Sequence, residues 1–232
     1  MPHRCEVNDQ IPALQRAFCE EVCAPELLPF RASLVEDIEA VIAFQEQRVG
    51  QHSAYASSGD REESDTETAF RRSLVAQLQR MDLERVRYLL ASYLRVRLWK
   101  LQRHAAYYQQ EAEGGSQTSM GRLSMHEQRF LKAYLDNLAT CLHEAFLKHI
   151  PESLRGLTDT EKHQSGRNTE IRMVTEPDFS ETVMAVAGSP GQLAASVSAE
   201  QAAADSASMP EIHCVSYSMV RDDILQEQIS LL

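Results

Sequence analysis

Apolar residues between Arg71 and Arg103 return every three or four positions: Leu74, Leu78 and Met81, then Val86, Leu89 or Leu90, Tyr93 or Leu94, Leu98 and Leu101. That is the period of a helix, and neither Gly nor Pro interrupts it. At 1.5 Å per residue a helix of roughly 33 residues spans about 50 Å, longer than a compact domain ordinarily uses. Leu83, Val86, Leu90, Leu94 and Leu101 make one stripe, and Leu89, Tyr93 and Trp99 flank it. A helix apolar on more than one side is either central in a bundle or shared with another chain. Both readings apply here.

The flanking segments carry the same period. Leu14, Phe18 and Val22 predict a first helix from about Ile11 that ends near Ala24, because Pro25 disfavours helical geometry in the residue before it. Leu34, Ile38, Val41, Ile42 and Val49 predict a second helix beyond Pro29, with Gly50 as its stop. Gly114 and Gly115 close the central helix, which reaches from about Glu67 to Glu113. Ser124 followed by Glu127 is a capping-box start for the next helix. Phe130, Leu131, Tyr134, Leu135, Leu138, Leu142, Phe146 and Leu147 then form a broad apolar face that Pro151 ends. The period changes after Leu157. Arg172 to Val174, Thr182 to Val186 and Ile212 to Tyr217 are short β-prone runs, and Pro177 belongs at an edge or turn. A short helix and a final strand, Gln228 to Leu232, follow.

These elements define a mainly α chain: a four- to five-helix bundle domain followed by a small β-rich C-terminal domain. Residues 1–10 read as a flexible tail and residues 11–157 as the helical domain. The Ser-rich, acidic stretch 51–66 reads as a mobile loop, and residues 158–171 as a linker. The β-rich domain covers 172–232 and contains an Ala/Ser-rich insertion at 188–210.

Charge sharpens the picture. The 232 residues carry a net charge of -11, yet between Arg71 and Arg103 the cations Arg71, Arg72, Arg80, Arg85, Arg87, Arg95, Arg97, Lys100 and Arg103 face only Asp82 and Glu84. Arginine suits forked hydrogen bonds to carboxylates at packed surfaces. The competing readings are a solvated face covered by the arginine stems, a partner-protein interface, and a nucleic-acid surface. Excess acid elsewhere opposes long-range attraction of phosphate. Five cysteines, odd in number and scattered, fit reduced thiols in cytosol or nucleus. No apolar run approaches a membrane span, and the N-terminus lacks the apolar core of a secretion signal.

Catalytic patterns are missing from the sequence. It contains no GxGxxG, no GxxxxGK[ST] and no GxSxG. His126-Glu127 and His143-Glu144 lack the second histidine of a zinc-protease helix. Cys19 and Cys23 lie one helical turn apart, but two thiols need further ligands to hold zinc. No cofactor and no metal is expected. Ser57 and Ser64, each with an acid three residues on, match the pattern acidophilic kinases favour. Tyr107 and Tyr108, beside His104, read as rings capping the bundle end rather than as a stacking platform for bases.

The run MDLERVRYLLASYLRVRLWKL (Met81 to Leu101) resembles the core helix of the SLD-five family of subunits of the eukaryotic GINS replication complex. APELL (Ala24 to Leu28) and FLKHIPESL (Phe146 to Leu154) agree in order and spacing, and the likeness covers about Ala13 to Leu157. EPDF (Glu176 to Phe179) and HCVSYSMVRDDILQEQISLL at the end resemble, more loosely, the small second domain of that family. The Ala/Ser insertion departs from the family pattern. The resemblance implies a non-catalytic structural subunit of a heterotetramer with three other GINS subunits. It further implies contacts with the MCM hexamer, a Cdc-forty-five-type factor and the replicative polymerase machinery, a nuclear location, and at most weak or indirect contact with DNA. On that reading Arg85, Arg87, Tyr88, Tyr93, Arg95, Arg97, Lys100 and Leu101 serve packing and charge-paired contacts, inside the bundle or across subunits. Tyr217, Ile224, Leu231 and Leu232 hold the small domain together or dock it on a sister subunit. The alternative is a stand-alone helical nucleic-acid-binding module using the basic helix 71–103.

Overall fold

The structure, a computed structural model, describes residues 6–57, 66–113, 121–152, 155–156, 160–162, 170–172, 174–187, 211–226 and 228–232. The expectations for residues 58–65 of the acidic loop, for the insertion 188–210 and for the glycines at 114–115 lie outside these residues.

Helix α1 (Glu6–Cys23) stops just before Ala24-Pro25, as proline geometry requires. It begins inside the stretch expected to fray, with Pro12 within it. Helix α2 (Ala32–Ser57) starts beyond Pro29 but runs through Gly50 and seven residues into the segment expected to be a loop. A Cβ at Gly50 meets nothing within 4 Å. One exposed glycine costs a helix only about 1 kcal/mol relative to alanine, so it does not by itself end one. Helix α3 (Thr66–Arg103) is the long central helix. Helix α4 (Ala105–Glu113) continues it, because His104 N–H still donates to Lys100 O and Tyr108 N–H to His104 O.

Ser124 caps helix α5 (Met125–Ala145) by the predicted capping box: its hydroxyl accepts from Glu127 N–H, and the Glu127 carboxylate accepts from Ser124 N–H. A short 3-10 turn (Leu147–His149) follows. Beyond it, β1 (Thr160–Lys162) and β2 (Glu170–Arg172) pair antiparallel within the region expected to be mostly linker. A three-stranded antiparallel sheet is built from β3 (Thr182–Ala187), β4 (Glu211–Ser216) and β5 (Ile229–Leu231), with β3 central. Helix α6 (Tyr217–Leu225) links β4 to β5. The fold is thus mainly helical with a small antiparallel sheet near the C-terminal end.

Two compact units emerge, and α1 and α3 each contribute to both. The first holds the chain up to Cys19 together with Arg31–Arg95. Its buried apolar residues include Leu14, Ala17, Val35, Ile38, Val49, Leu83, Leu90 and Tyr93. The second holds Glu20–Phe30 and Val96–Leu232. It has two apolar clusters. Leu27, Leu101, Ala105, Tyr108, Leu123 and Leu131 make one, and Tyr107, Phe130, Tyr134 and Leu135 pack against it. Val183, Ala185, Tyr217, Val220, Ile224, Ile229 and Leu231 make the other, which also takes in Ala24 and Leu28. Strand β3 alternates as a half-buried strand must: Val183 and Ala185 face in, Met184 faces out.

Candidate functional site

Helix α3 has two working faces. Leu83, Leu90, Tyr93, Arg97 and Leu101 are buried, whereas Phe70, Leu74, Leu78, Met81 and Tyr88 are exposed. At about 100° per residue the second set lies within about 80° of arc and roughly opposite the first. Phe70 is 68% exposed, Leu78 51% and Tyr88 70%. Further along the same helix Trp99 is 55% exposed, with the Arg103 guanidinium 5.2 Å from its ring centre. The apolar series that begins at Leu74 therefore does not continue into the one that holds Leu90 and Leu101. They occupy different faces. Part of the predicted apolar face of α5 is outside as well, since Leu138 and Phe146 are exposed.

Three arginines of α3 before Arg97 take nearby partners. Arg71 bonds Glu67 at 2.7 Å, Arg85 bonds Asp82 at 3.3 Å, and Arg87 bonds Glu84 at 2.5 Å and also pairs with Glu46 of α2. Arg72, Arg80 and Arg95 are exposed.

The second half of α3 is built differently. Arg97 is fully buried, and all five of its N–H donors are used. Its Nε donates to Glu127 Oε1 at 2.7 Å and its Nη2 to Glu127 Oε2 at 3.1 Å. Nη1 donates to Glu21 Oε2 at 2.9 Å and to Leu28 O at 2.8 Å, and Nη2 also reaches Arg122 O at 3.1 Å. The Phe30 ring stands 5.2 Å from the guanidinium carbon. Lys100 is saturated too: its Nζ donates to Glu21 Oε1 and Glu26 O, each at 2.9 Å, and to Glu21 O. Burial lowers the Lys100 ammonium pKa, and the neighbouring Glu21 carboxylate opposes that shift. Full pairing is what makes such burial tolerable, because an unpaired buried charge costs several kcal/mol.

Glu26 extends the network toward the C-terminal sheet. It is 1% exposed, and Oε1 accepts from Tyr217 OH at 2.9 Å and Arg221 Nε at 2.6 Å. Oε2 accepts from Arg221 Nη2 at 2.7 Å and Arg122 Nη1 at 2.8 Å. Burial alone pushes this carboxyl up. The Arg221 hydrogen bond, the fields of Arg122 and Arg221, and the Tyr217 hydroxyl outweigh it and hold the pKa below the ordinary value.

The candidate residues divide cleanly. Tyr93, Arg97, Lys100 and Leu101 are interior, as are Tyr217, Ile224 and Leu231. Arg85, Tyr88 and Arg95 are exposed, Arg87 is partly so, and Leu232 is 54% exposed. Sequence reasoning missed Glu21, Glu26, Glu127 and Arg122 as partners of the buried cations. Arg97 and Glu21 stand 76 positions apart, and no local pattern links them. The one usable sign was Glu127, which the capping box had already marked. Nothing among the described residues groups three or more metal-ligating side chains, and no described helix is long and apolar enough to cross a membrane.

Residues 60–146 match the helical bundle domain of GINS complex proteins, of the Sld5 type. The chain is 31% identical over 145 residues to the mouse protein described as DNA replication complex GINS protein SLD5, covering 62% of this chain and 57% of the relative. It is 33% identical over 106 residues to the protein of that description from Kluyveromyces lactis, covering 44% and 34%. Against the one from Debaryomyces hansenii it is 28% identical over 179 residues, covering 76% and 67%. Over these residues the chain is similar to proteins of the Sld5 type. Its aligned part spans little more than half the length of the mouse relative.

Proposed function

We propose that this chain is a non-catalytic structural subunit of a GINS heterotetramer acting in DNA replication, within the replicative helicase that also contains the MCM hexamer and a Cdc-forty-five-type factor. The polymerase machinery is a further partner, the contact with DNA is indirect or weak, and the site of action is the nucleus. The proposal includes the division into a helical domain (11–157), a linker (158–171) and a small β-rich domain (172–232).

The supporting observation is the outward stripe Phe70, Leu74, Leu78, Met81 and Tyr88. Each such side chain left in water forgoes roughly 1.5–3 kcal/mol of burial. Helices of the three sister subunits are the cover we assign to it, with exposed Arg85, Arg95 and Tyr88 at its margins. Leu232 and its exposed neighbours on the sheet are the corresponding contact of the small domain.

Expressed alone, the chain is expected to be insoluble or oligomeric, and co-expression with three sister subunits is expected to yield a stable complex. A well-behaved monomer in light scattering, or failure to co-purify with the sisters, overturns the reading.

The stand-alone nucleic-acid module is less well supported. Arg97 and Lys100 are committed to buried carboxylates, and Arg71, Arg85 and Arg87 to nearby acids. It requires that the purified chain shift DNA in a gel and lose that affinity by orders of magnitude over a few-fold rise in salt.

A further inference from the structure

The segment between α1 and α2 faces two ways. Leu27 belongs to the cluster of α4 and α5, and its N–H donates to Tyr108 OH at 2.8 Å. Ala24 and Leu28 belong to the cluster of the C-terminal sheet. Glu26 stands between them, and the donors to its carboxylate come from both directions. Arg122 precedes α5, while Tyr217 and Arg221 lie on α6.

The donors on α6 are themselves held in place. Arg221 lies 4.7 Å from the Phe179 ring centre, and Phe179 stacks on Tyr217 at 6.5 Å. The guanidinium grips Glu26 with two parallel bonds, the arrangement that gives an ion pair both strength and direction. The apolar contribution from the helical side is small by comparison. In the cluster of the sheet, Ala24, Leu28 and the partly buried Cys23 come from outside the module; its other members lie within residues 179–231. Among the described residues Cys23 Sγ also donates to Leu232 O at 2.9 Å, and His104 Nδ1 lies 2.9 Å from Thr175 O in the segment before β3.

We propose that Glu26 is an ionic latch that fastens the module of β3, β4, α6 and β5 to the helices, so that removing its charge frees the module while the helices stay folded. The helices have a lock of their own, Arg97 with Glu21 and Glu127, in which the Glu26 carboxylate takes no bond. Charged groups around the latch beyond its three donors are Lys100, which donates to Glu26 O, and Glu21, which pairs with Lys100. Tyr107 and Tyr108 feel the same carboxylate, and burial, their largest perturbation, raises both phenols.

The test is amide hydrogen exchange on the full chain carrying Glu26→Gln, which keeps the shape and removes the charge. Amides of the β3–β4 ladder and of α6 are expected to lose protection at least tenfold, while α5 amides near Leu131 keep theirs. Equal loss in α5, or no loss in either place, overturns the latch. Should Glu26→Gln unfold the whole chain, two milder variants decide. Tyr217→Phe removes one donor and leaves the ion pair; Arg221→Lys keeps the charge and loses the fork. Loss confined to the module in both supports the latch, and loss spread evenly over sheet and helices rejects it.

Discussion

The two ends of α3 exchange the usual places of grease and charge. Phe70, Leu74, Leu78 and Met81 stand in water, whereas Arg97 and Lys100 are buried. The charged end can be interior because every donor of both cations has an acceptor within the chain. The apolar end has no equivalent: Phe70, Leu78 and Met81 are each more than half exposed. A buried charge must be settled inside the chain, since its penalty falls on folding itself. An exposed apolar stripe only forgoes stabilisation, and a second chain can supply that later. The inner end therefore explains the fold, and the outer end carries the functional proposal.

The sharpest way to break this contrast is at Arg97. Arg97→Met keeps much of the volume but leaves Glu21 and Glu127 buried without their partner, and a loss of about 3–5 kcal/mol is expected in urea unfolding. A change below about 1 kcal/mol means that the inner end is not held by charge. The outer end should answer in the opposite sense. Leu78→Asp is expected to leave stability within about 0.5 kcal/mol and to weaken co-purification with the sister subunits. One lost apolar contact of roughly 1.5–3 kcal/mol corresponds to about a tenfold or greater loss of affinity. An intact complex from that variant removes the stripe from the interface.

Glu26 adds a pH dependence of known sign. Its folded pKa lies below the ordinary 4.5, so its contribution to stability is complete above that value and is lost as the pH falls through the folded one. The difference in urea midpoint between the wild-type chain and Glu26→Gln should be constant from pH 7 to 5 and shrink toward pH 3. A gap that does not close assigns the effect of the variant to something other than the carboxylate's charge. The smallest effect belongs to the exposed pair Arg85–Asp82, 3.3 Å apart with both side chains more than 70% exposed. Arg85→Ala is expected to change stability by no more than about 0.5 kcal/mol. A larger loss shows that the first half of α3 depends on its charges after all.

Particular residues mark where the sequence was readable. The capping box at Ser124 and Glu127 was legible because both partners lie within one turn. The end of α1 was legible because proline acts on the residue before it, and strand β3 because burial on one face imposes a period of two. The end of α2 was not, since a glycine only weakens a helix and its surroundings decide whether it stops there. Arg97 and Lys100 were selected as contact residues, but their interior placement was not legible: a periodic arginine is equally consistent with a wet face and a paired core. Glu26 was hidden inside APELL, a motif singled out for its family likeness and not for its carboxylate.

By itself, then, the sequence determined the elements and the mainly helical class, because hydrophobic period, caps and breakers act over a few residues. Which face of α3 turns inward, which carboxylates neutralise its cations, and how Glu26 gathers donors up to 195 positions away were decided only by the tertiary structure. Burial and ion pairing depend on what arrives from elsewhere in the chain, and a repeat of 3.6 residues records that side chains share a face without recording what that face meets.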